Sequence, residues 1–369
     1  MSKMKYWSPD RIKKEGAQYN VIFGERSNGK TTGVLIEGFK QFLENGSETA
    51  IIRRYDEDFV GANSAKTVYN AMIQDGNGEN QIQKLSNGKY TGVTYYGGKY
   101  FLTKYNPKSG KEERTEDVLA HAFSLTACEH YKSASFPKIR TILFDEFMTR
   151  KFYLPDEFVL FQNVLSTIIR TRDDVTIYMC ANTVNKYGCP YFTEMGLYKV
   201  KDMEKGDIDT YQYGESELKV AVEYSDGVGK KKPSDKYFSF QNPSLRMITT
   251  GSWEMAIYPH CPVKYVPKDI LFTYFIKYED IILQCEIIEK DGTSFTFIHR
   301  KTSDLKDEEH DIIYTTDYDV RPNFKRRITA PCSKIEQKIA SYYREERVYY
   351  QDNEVGEIVR NYLQWCRTV

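Results

Sequence analysis

The stretch NVIFGERSNGKTTGVLIEGF, residues 20–39, places a glycine-containing turn between a short apolar run and an amphipathic one. Its spacing Gly24-x-x-x-x-Gly29-Lys30-Thr31 fits the P-loop, in which Lys reaches the β- and γ-phosphates and the Thr hydroxyl ligates Mg²⁺. Such a turn opens a helix whose first N–H groups are unpaired and carry a partial positive charge. The alternative is an ordinary strand–turn–helix with Lys30 in solvent. The full pattern favours a nucleoside-triphosphate site lined by Gly24, Arg26, Gly29, Lys30, Thr31 and Thr32.

Two adjacent acids end an apolar run further along the chain, in KIRTILFDEFM, residues 138–148. Here Asp145 is expected to hold Mg²⁺ together with Thr31, and Glu146 to orient and deprotonate an attacking water. Buried neighbouring carboxylates repel each other and lose hydration, so a bound cation explains them better than the alternative, a solvent-exposed acidic corner. Beside the P-loop, this pair predicts an ATPase with an additional strand between the P-loop strand and the acidic one.

The sequence also bears on which base is bound. Guanine recognition usually uses an N-K-x-D loop, and the nearest match, residues 185–188, reads NKYG without the Asp. Adenine is therefore favoured, and ATP with Mg²⁺ is the expected pair of ligands.

Several polar residues near these motifs each admit two interpretations. Asn182 ends the strand-like run VTIYMCAN and would either sense the γ-phosphate or cap the next turn. Arg170 and Arg172 close the helical run EFVLFQNVLSTIIRTR, where they would either complement the helix dipole or act as an arginine finger across a subunit interface. Arg26 would either contact phosphate or point into solvent.

Composition narrows the class of protein. The chain has 369 residues, with 52 Lys and Arg balanced by 52 Asp and Glu, which argues against a chain-wide nucleic-acid footprint but not against a local basic face. Its seven cysteines are scattered without a C-x-x-C pair, which is typical of reduced thiols rather than of a zinc site. No stretch has the length and apolarity of a membrane span or signal peptide, so we expect a soluble intracellular protein.

The order of apolar runs predicts two domains. Alternating short apolar and amphipathic runs predict a doubly wound α/β ATPase domain with a mostly parallel sheet over residues 1–205, including an inserted β-hairpin around Gly97-Gly98. Charged, Gly- and Ser-containing segments predict a linker or lid over residues 206–260. Strand-like runs paired at Asp291-Gly292, followed by two helical runs, predict a smaller α+β domain over residues 261–369.

The combination of NVIFGERSNGKTT, AIIRRYDED, YKSASFPKIRTILFDEFM and STIIRTRDDVTIYMCANTV, in this order, resembles the DNA-packaging ATPases (encapsidation proteins) of small short-tailed phages, which are related to the large terminase motors. The resemblance is dense from about Tyr19 to Tyr191. It implies that Lys30 and Thr31 belong to the Walker A motif and that Asp145 and Glu146 are the Walker B acid and catalytic base. It also implies a coupling role for Asn182 and a trans-acting role for Arg170, with Arg172 as the alternative arginine. Lys132 would contact a neighbour's nucleotide. Arg53 and Arg54 would form a basic pair near the active site and pore.

The resemblance further implies an assembly and a task. The chain would form a ring, expected to be a pentamer, docked on the portal of a procapsid in the host cytoplasm, where it moves double-stranded DNA inward, with a structural RNA as a further partner in some systems. The C-terminal domain would be a degenerate ribonuclease-H-like domain without nuclease activity, in which Lys325, Arg326 and Arg327 could contact nucleic acid. The alternatives are a P-loop ATPase acting on another assembly and a non-hydrolysing nucleic-acid-binding scaffold.

Overall fold

The computed structural model describes most of the chain and divides it into two compact units, Met1–Glu254 and Met255–Val369. Each unit contains its own β-sheet. The described residues are 6–25, 28–60, 65–75, 77–131, 134–149, 153–182, 189–226, 258–261, 263–278, 281–301 and 311–368.

The first unit is built on a sheet of nine described strands, with helices between them. The strands are β1 Tyr19–Gly24, β2 Glu48–Arg53, β3 Gly92–Tyr96, β4 Lys99–Asn106, β5 Lys111–Ser124, β6 Ile139–Asp145, β7 Thr176–Asn182, β8 Ile208–Gln212 and β9 Lys219–Ser225. The helices are α1 Asp10–Lys13, α2 Lys30–Asn45, α3 Asn70–Ile73, α4 Gln81–Leu85, α5 Glu157–Ile169 and α6 Pro190–Glu194.

The strand order is β3-β4-β5-β2-β6-β7-β1-β9-β8. The six central strands are parallel, and the outer strands β3, β4 and β8 pair antiparallel. Because β7 lies between β1 and β6, the predicted additional strand between the P-loop strand and the acidic strand is confirmed. The carboxyl ends of the parallel strands meet at one edge, where open α/β sheets bind ligands.

Helices cover both faces of this sheet, as buried parallel strands require. Ile22 of β1 and Leu143 of β6 pack in one apolar cluster with residues of α2, including Phe39. Their chain neighbours Phe23 and Phe144 point to the other face and share a second cluster with residues of α5. The predicted doubly wound α/β class is confirmed.

Glycines mark both ends of the helix that follows the P-loop. Gly29 precedes α2 with φ 88°, and Gly46 follows it with φ 76° and donates its N–H to Phe42 O at 2.9 Å. Residues without Cβ adopt these left-handed conformations at little cost, which explains why the helix begins and ends there.

Three segments differ from the sequence-based expectation or extend it. Residues 208–225 were predicted as part of a linker, but β9 extends the sheet in parallel register with β1, from Tyr19↔Val220 to Gly24↔Ser225. The surrounding Gly- and Ser-containing turns obscured a short strand whose Val220, Val222 and Tyr224 are buried in one apolar cluster. Residues 227–257 of that predicted linker lie outside the described residues. The hairpin at Gly97-Gly98 is confirmed as β3–β4. The run SAKTVYNAMIQDG, residues 64–76, also predicts a helix, of which the structure describes α3, Asn70–Ile73.

The second unit carries a mixed sheet in the order β14-β13-β10-β11-β12-β15. Its strands are β10 Ile270–Tyr278, β11 Ile281–Lys290, β12 Thr293–Arg300, β13 Ile313–Thr315, β14 Phe324–Lys325 and β15 Val348–Tyr350, and its helices are α7 Lys334–Arg344 and α8 Asn353–Thr368. The turn between β11 and β12 has positive φ at Asp291 (50°) and Gly292 (76°), as a two-residue hairpin requires. The predicted smaller α+β domain is confirmed. In the described part of the chain, no helix combines the length and apolarity needed to cross a bilayer.

Candidate nucleotide site

The P-loop backbone passes very close to the neighbouring strand. A Cβ placed on Gly24, whose φ is 155°, would clash with Ser225 Oγ and lie 2.6 Å from the Ser225 carbonyl oxygen at the end of β9. Ser225 Oγ also accepts a 2.9 Å hydrogen bond from the Asn28 side chain within the loop. Gly24 is therefore required for the packing of the loop against β9, in addition to any close approach to a ligand.

Lys30 is buried inside the loop rather than solvated, with 5% of its surface exposed. Its ammonium donates to Glu25 O at 2.6 Å, Asn28 Oδ1 at 3.0 Å and Gly24 O at 3.3 Å. Burial lowers the pKa of Lys30 to about 8, although nearby acidic groups, among them Asp145, oppose the shift. The ammonium thus lies where α2 begins, at a helix N-terminus of the kind that suits phosphate.

Thr31 and Asp145 meet at the carboxyl edge of the sheet, as the sequence predicted. Thr31 Oγ1 donates to Asp145 Oδ1 at 2.6 Å, and Arg53 Nη2 donates to Asp145 Oδ2 at 2.6 Å. Asp145 is 4% exposed, so its charge is balanced by a buried guanidinium and a hydroxyl. The arrangement places two hard oxygen donors together, a set that suits Mg²⁺.

Glu146 differs from its neighbour in exposure and backbone conformation. Its side chain is 61% exposed, and its carboxylate accepts a 2.8 Å hydrogen bond from Arg53 Nη1. Its φ of 63° is left-handed, a conformation that costs a residue with a Cβ about 1–2 kcal/mol. The sequence predicted two buried acids that require a cation. Asp145 is buried, but Glu146 is exposed, and Arg53 contacts the carboxylates of both residues.

Asn182 is the last residue of β7 and pairs in register with Gly24 at the end of β1. Because β7 lies between β1 and β6, Asn182 ends its strand between the P-loop and the acidic pair. This position is compatible with the predicted coupling role, which stays a prediction.

The two arginines that follow α5 make different contacts. Arg172 donates to the carbonyls of Ile168 (2.8 Å) and Ile139 (2.6 Å), so it ties the helix end to the beginning of β6. Arg170 is exposed, has φ 53°, and donates to Ala134 O at 2.6 Å. Both residues lie at the edge of the sheet where β6 begins, opposite the edge that carries Lys30.

The remaining predicted residues fall in different places. Arg26 and Lys132 lie outside the described residues. In the second unit, Lys325 is 3.5 Å from the Glu336 carboxylate, Arg326 lies 5.0 Å over the Trp365 ring, and Arg327 is exposed. The triplet does not share one set of contacts. Thr32 follows Thr31 in the first turn of α2.

The chain is similar in sequence to DNA packaging proteins of phages. Residues 109–233 match the family model "Podovirus DNA encapsidation protein (Gp16)". The resemblance to the podovirus DNA encapsidation proteins is confirmed. Among curated relatives, the DNA packaging protein of Bacillus phage B103 is 26% identical over 217 residues, 58% of each chain. That of Bacillus phage phi29 is 23% identical over 208 residues, 56% of this chain and 54% of the relative. The chain spans a little over half the length of these relatives.

A solved structure shares the fold along nearly the whole chain. The gp11 DNA packaging motor of phage Phi-28 superposes with a TM-score of 0.57 at 16% identity and covers 99% of each chain. At this identity the likeness shows the fold, which combines the large parallel sheet with a second, smaller sheet domain.

Sequence reasoning missed the direct contacts of Arg53 with the acids, although it noted the Arg53-Arg54 pair. The signal was available in AIIRR, where charged residues end a buried strand. It required knowing that β2 lies beside β6.

Proposed function

We propose that the chain is an ATP-driven motor that moves double-stranded viral DNA into a procapsid. The observation that carries the proposal is the meeting of Thr31 Oγ1 and Asp145 Oδ1 at 2.6 Å, beside the buried ammonium of Lys30. Two distant motifs thereby form one site at the carboxyl edge of a parallel sheet. The resemblance to encapsidation proteins is the reason for proposing DNA packaging as the work that ATP hydrolysis drives.

ATP would bind over the first turn of α2, with Lys30 at its β- and γ-phosphates. Thr31 and Asp145 would hold Mg²⁺, which when bound neutralises charge that develops on the phosphates. Glu146 orients and deprotonates the attacking water, since its exposed carboxylate projects from the same strand end. Asn182, at the end of the intervening strand, links the γ-phosphate to the rest of the sheet.

Arg170 would act on the nucleotide of a neighbouring subunit. Helix α5 begins at Glu157, which contacts Arg54 at the carboxyl edge, and its 13 residues span about 20 Å. Arg170 at its far end therefore cannot reach the phosphates bound at Lys30 of its own chain. An exposed arginine at that edge is suited to completing a neighbour's site in a ring. Lys132, two positions before Ala134, whose carbonyl accepts from Arg170, is proposed to assist it.

The assembly is proposed from the resemblance. The ring is expected to be a pentamer at the portal of a procapsid in the host cytoplasm, with a structural RNA as a further partner. Lys325, Arg326 and Arg327 are proposed DNA contacts, of which Arg326 and Arg327 are exposed.

Nuclease activity is not proposed for the second unit. The sequence offers four carboxylates for such a site, Asp280, Glu286, Asp317 and Asp319, of which Asp280 lies outside the described residues. The other three contact other side chains: Glu286 contacts Tyr265 at 2.7 Å, Asp317 contacts Lys277 at 2.8 Å, and Asp319 contacts Arg321 at 2.7 Å. Two-metal catalysis needs such groups converging on the ions.

Steady-state ATP hydrolysis, measured with and without double-stranded DNA across a series of protein concentrations, tests this proposal. The expected result is Mg²⁺-dependent turnover that DNA stimulates and that rises more than linearly with protein, because each site needs a neighbour's arginine. Turnover indifferent to DNA and to concentration would instead support an ATPase acting on another assembly. The absence of turnover would support a non-hydrolysing scaffold.

A further inference from the structure

The strained turn at Glu146 is held by contacts to its main chain. The Glu146 N–H donates to Cys180 O at 2.8 Å. On the other side, Arg54 Nη1 donates to Glu146 O at 3.3 Å and Nη2 to Phe147 O at 2.8 Å. Left-handed residues persist only where the surroundings hold them, so these contacts set the direction in which the Glu146 side chain leaves the strand.

Arg54 is in turn fixed by a buried carboxylate. Its Nε and Nη2 donate to the two oxygens of Glu157 at 2.7 and 2.8 Å, and its guanidinium lies 5.3 Å from the Tyr153 ring centroid. Arg54 is 6% exposed and Glu157 3%. The guanidinium therefore has little freedom to move.

Glu157 completes a network in which each oxygen accepts two hydrogen bonds. Tyr191 OH donates to Oε1 at 2.8 Å, and the Leu154 N–H donates to Oε2 at 2.7 Å. A buried polar network that is fully satisfied has one favoured geometry, because any shift leaves a charged or polar group without a partner.

We propose that Arg54 is a positioning residue for Glu146, working through the network of Glu157, Tyr191 and Leu154. The proposal rests on the proposed ATPase function and deepens it. Arg53 contacts the carboxylates of the acidic pair. Arg54 contacts the carbonyls of Glu146 and Phe147 and the carboxylate of Glu157. Arginine is required because one fork must serve two carbonyls and a carboxylate at once, which the single ammonium of lysine cannot do.

The test compares Arg54→Lys and Tyr191→Phe with the parent full-length chain. Arg54→Lys is expected to lower kcat at least tenfold while KM for ATP and the Kd for Mg·ADP stay within about twofold, because a base misplaced by about 1 Å costs up to about 100-fold. Tyr191→Phe keeps the ring and removes one hydrogen bond to Glu157, so a smaller fall in kcat with unchanged Kd is expected. This split between turnover and affinity is a readout that a merely structural role would not give.

Arg347→Lys is the matched control. Arg347, in the second unit, likewise contacts a carbonyl (Ser294 O, 2.8 Å), a carboxylate (Glu345) and a tyrosine ring (Tyr342, 4.8 Å). It is expected to lower the thermal midpoint without changing kcat.

Three outcomes would overturn the proposal, and they are distinguishable. Parent kcat in a folded Arg54→Lys variant would refute positioning while leaving the ATPase assignment intact. A parallel loss of kcat and Mg·ADP affinity in both variants would mean that the network only supports the fold. Absence of hydrolysis by the parent chain and by Arg347→Lys would defeat the proposed function, and this inference with it.

Discussion

Arg53 Nη2 lies 2.6 Å from Asp145 Oδ2, on the carboxylate oxygen opposite the one that accepts from Thr31. Arg53 is 6% exposed and Asp145 4%, so each charge depends on the other for compensation. The ion pair crosses from the end of β2 to the end of β6 and holds the carboxylate in the position proposed for a metal ligand.

Arg53→Ala is expected to destabilise the protein by about 3–5 kcal/mol, because Asp145 is left as an uncompensated buried charge. Mg²⁺ with ADP should recover part of this loss, since a cation at Thr31 and Asp145 supplies the missing charge. Chemical denaturation with and without Mg·ADP measures both effects. Arg140→Ala is the control, because its pair with Asp174 is partly exposed to solvent and should be worth less than about 1 kcal/mol. An equal loss for Arg53→Ala with and without the ligand, relative to the parent, would contradict this account.

Glu146→Gln should bind ATP like the parent while losing turnover by about 10²–10⁴-fold, because the base is lost and the phosphate cradle remains. Equilibrium binding of ATP and single-turnover hydrolysis measure the two quantities. Hydrolysis at the parental rate would show that another group activates the water.

Arg170→Ala should reduce turnover strongly, by about 10³–10⁵-fold if the residue acts as a finger, while nucleotide affinity changes little. Mixing it with Glu146→Gln subunits, which are inactive but carry Arg170, should restore hydrolysis at the Arg170→Ala sites. Titration of one variant with the other measures this rescue. A mixture as inactive as its components would indicate a role within one chain.

The Glu286–His299 pair predicts how stability of the second unit depends on pH. His299 Nε2 lies 3.5 Å from Glu286 Oε1; burial opposes the shift, but the contact with Glu286 raises the pKa of His299. Burial likewise opposes the lowering of the Glu286 pKa that His299, Tyr265 and Gln284 produce. The His299 contribution is present below its unfolded pKa of about 6.5 and lost as pH rises through the folded value. The Glu286 contribution is present above its unfolded pKa of about 4.3 and lost as pH falls through the folded value.

The free energy of unfolding of the second unit should therefore be largest between about pH 5 and 6.5. Urea denaturation followed across pH 3.5–8.5 measures this dependence, and His299→Gln should flatten its alkaline side. An unchanged alkaline limb in that variant would assign the dependence to other groups.

The P-loop and the acidic pair were predictable because each is encoded locally, by glycines and by acids that end an apolar run. The additional strand between β1 and β6 was also predictable, because an Asp followed directly by a Glu at the end of the acidic strand is characteristic of ATPases that have this strand. Their meeting at 2.6 Å needed only the rule that parallel strands present their carboxyl ends at one edge.

The contacts of Arg53 and Arg54 were not predictable from local pattern, because their partners lie 92–103 residues away. They depend on β2 lying beside β6, which strand periodicity does not reveal. Arg170 and Arg172 are the same residue type two positions apart, and only packing shows that one ties α5 to β6 while the other is exposed. β9 was missed because its short apolar run lies among Gly- and Ser-containing turns.

Displacement of a third strand bound to a duplex measures whether ATP hydrolysis moves this protein along double-stranded DNA. The parent chain with ATP and Mg²⁺ is expected to release the third strand, and Glu146→Gln is expected to release none. DNA-stimulated hydrolysis that leaves the third strand in place would contradict the proposed motor function.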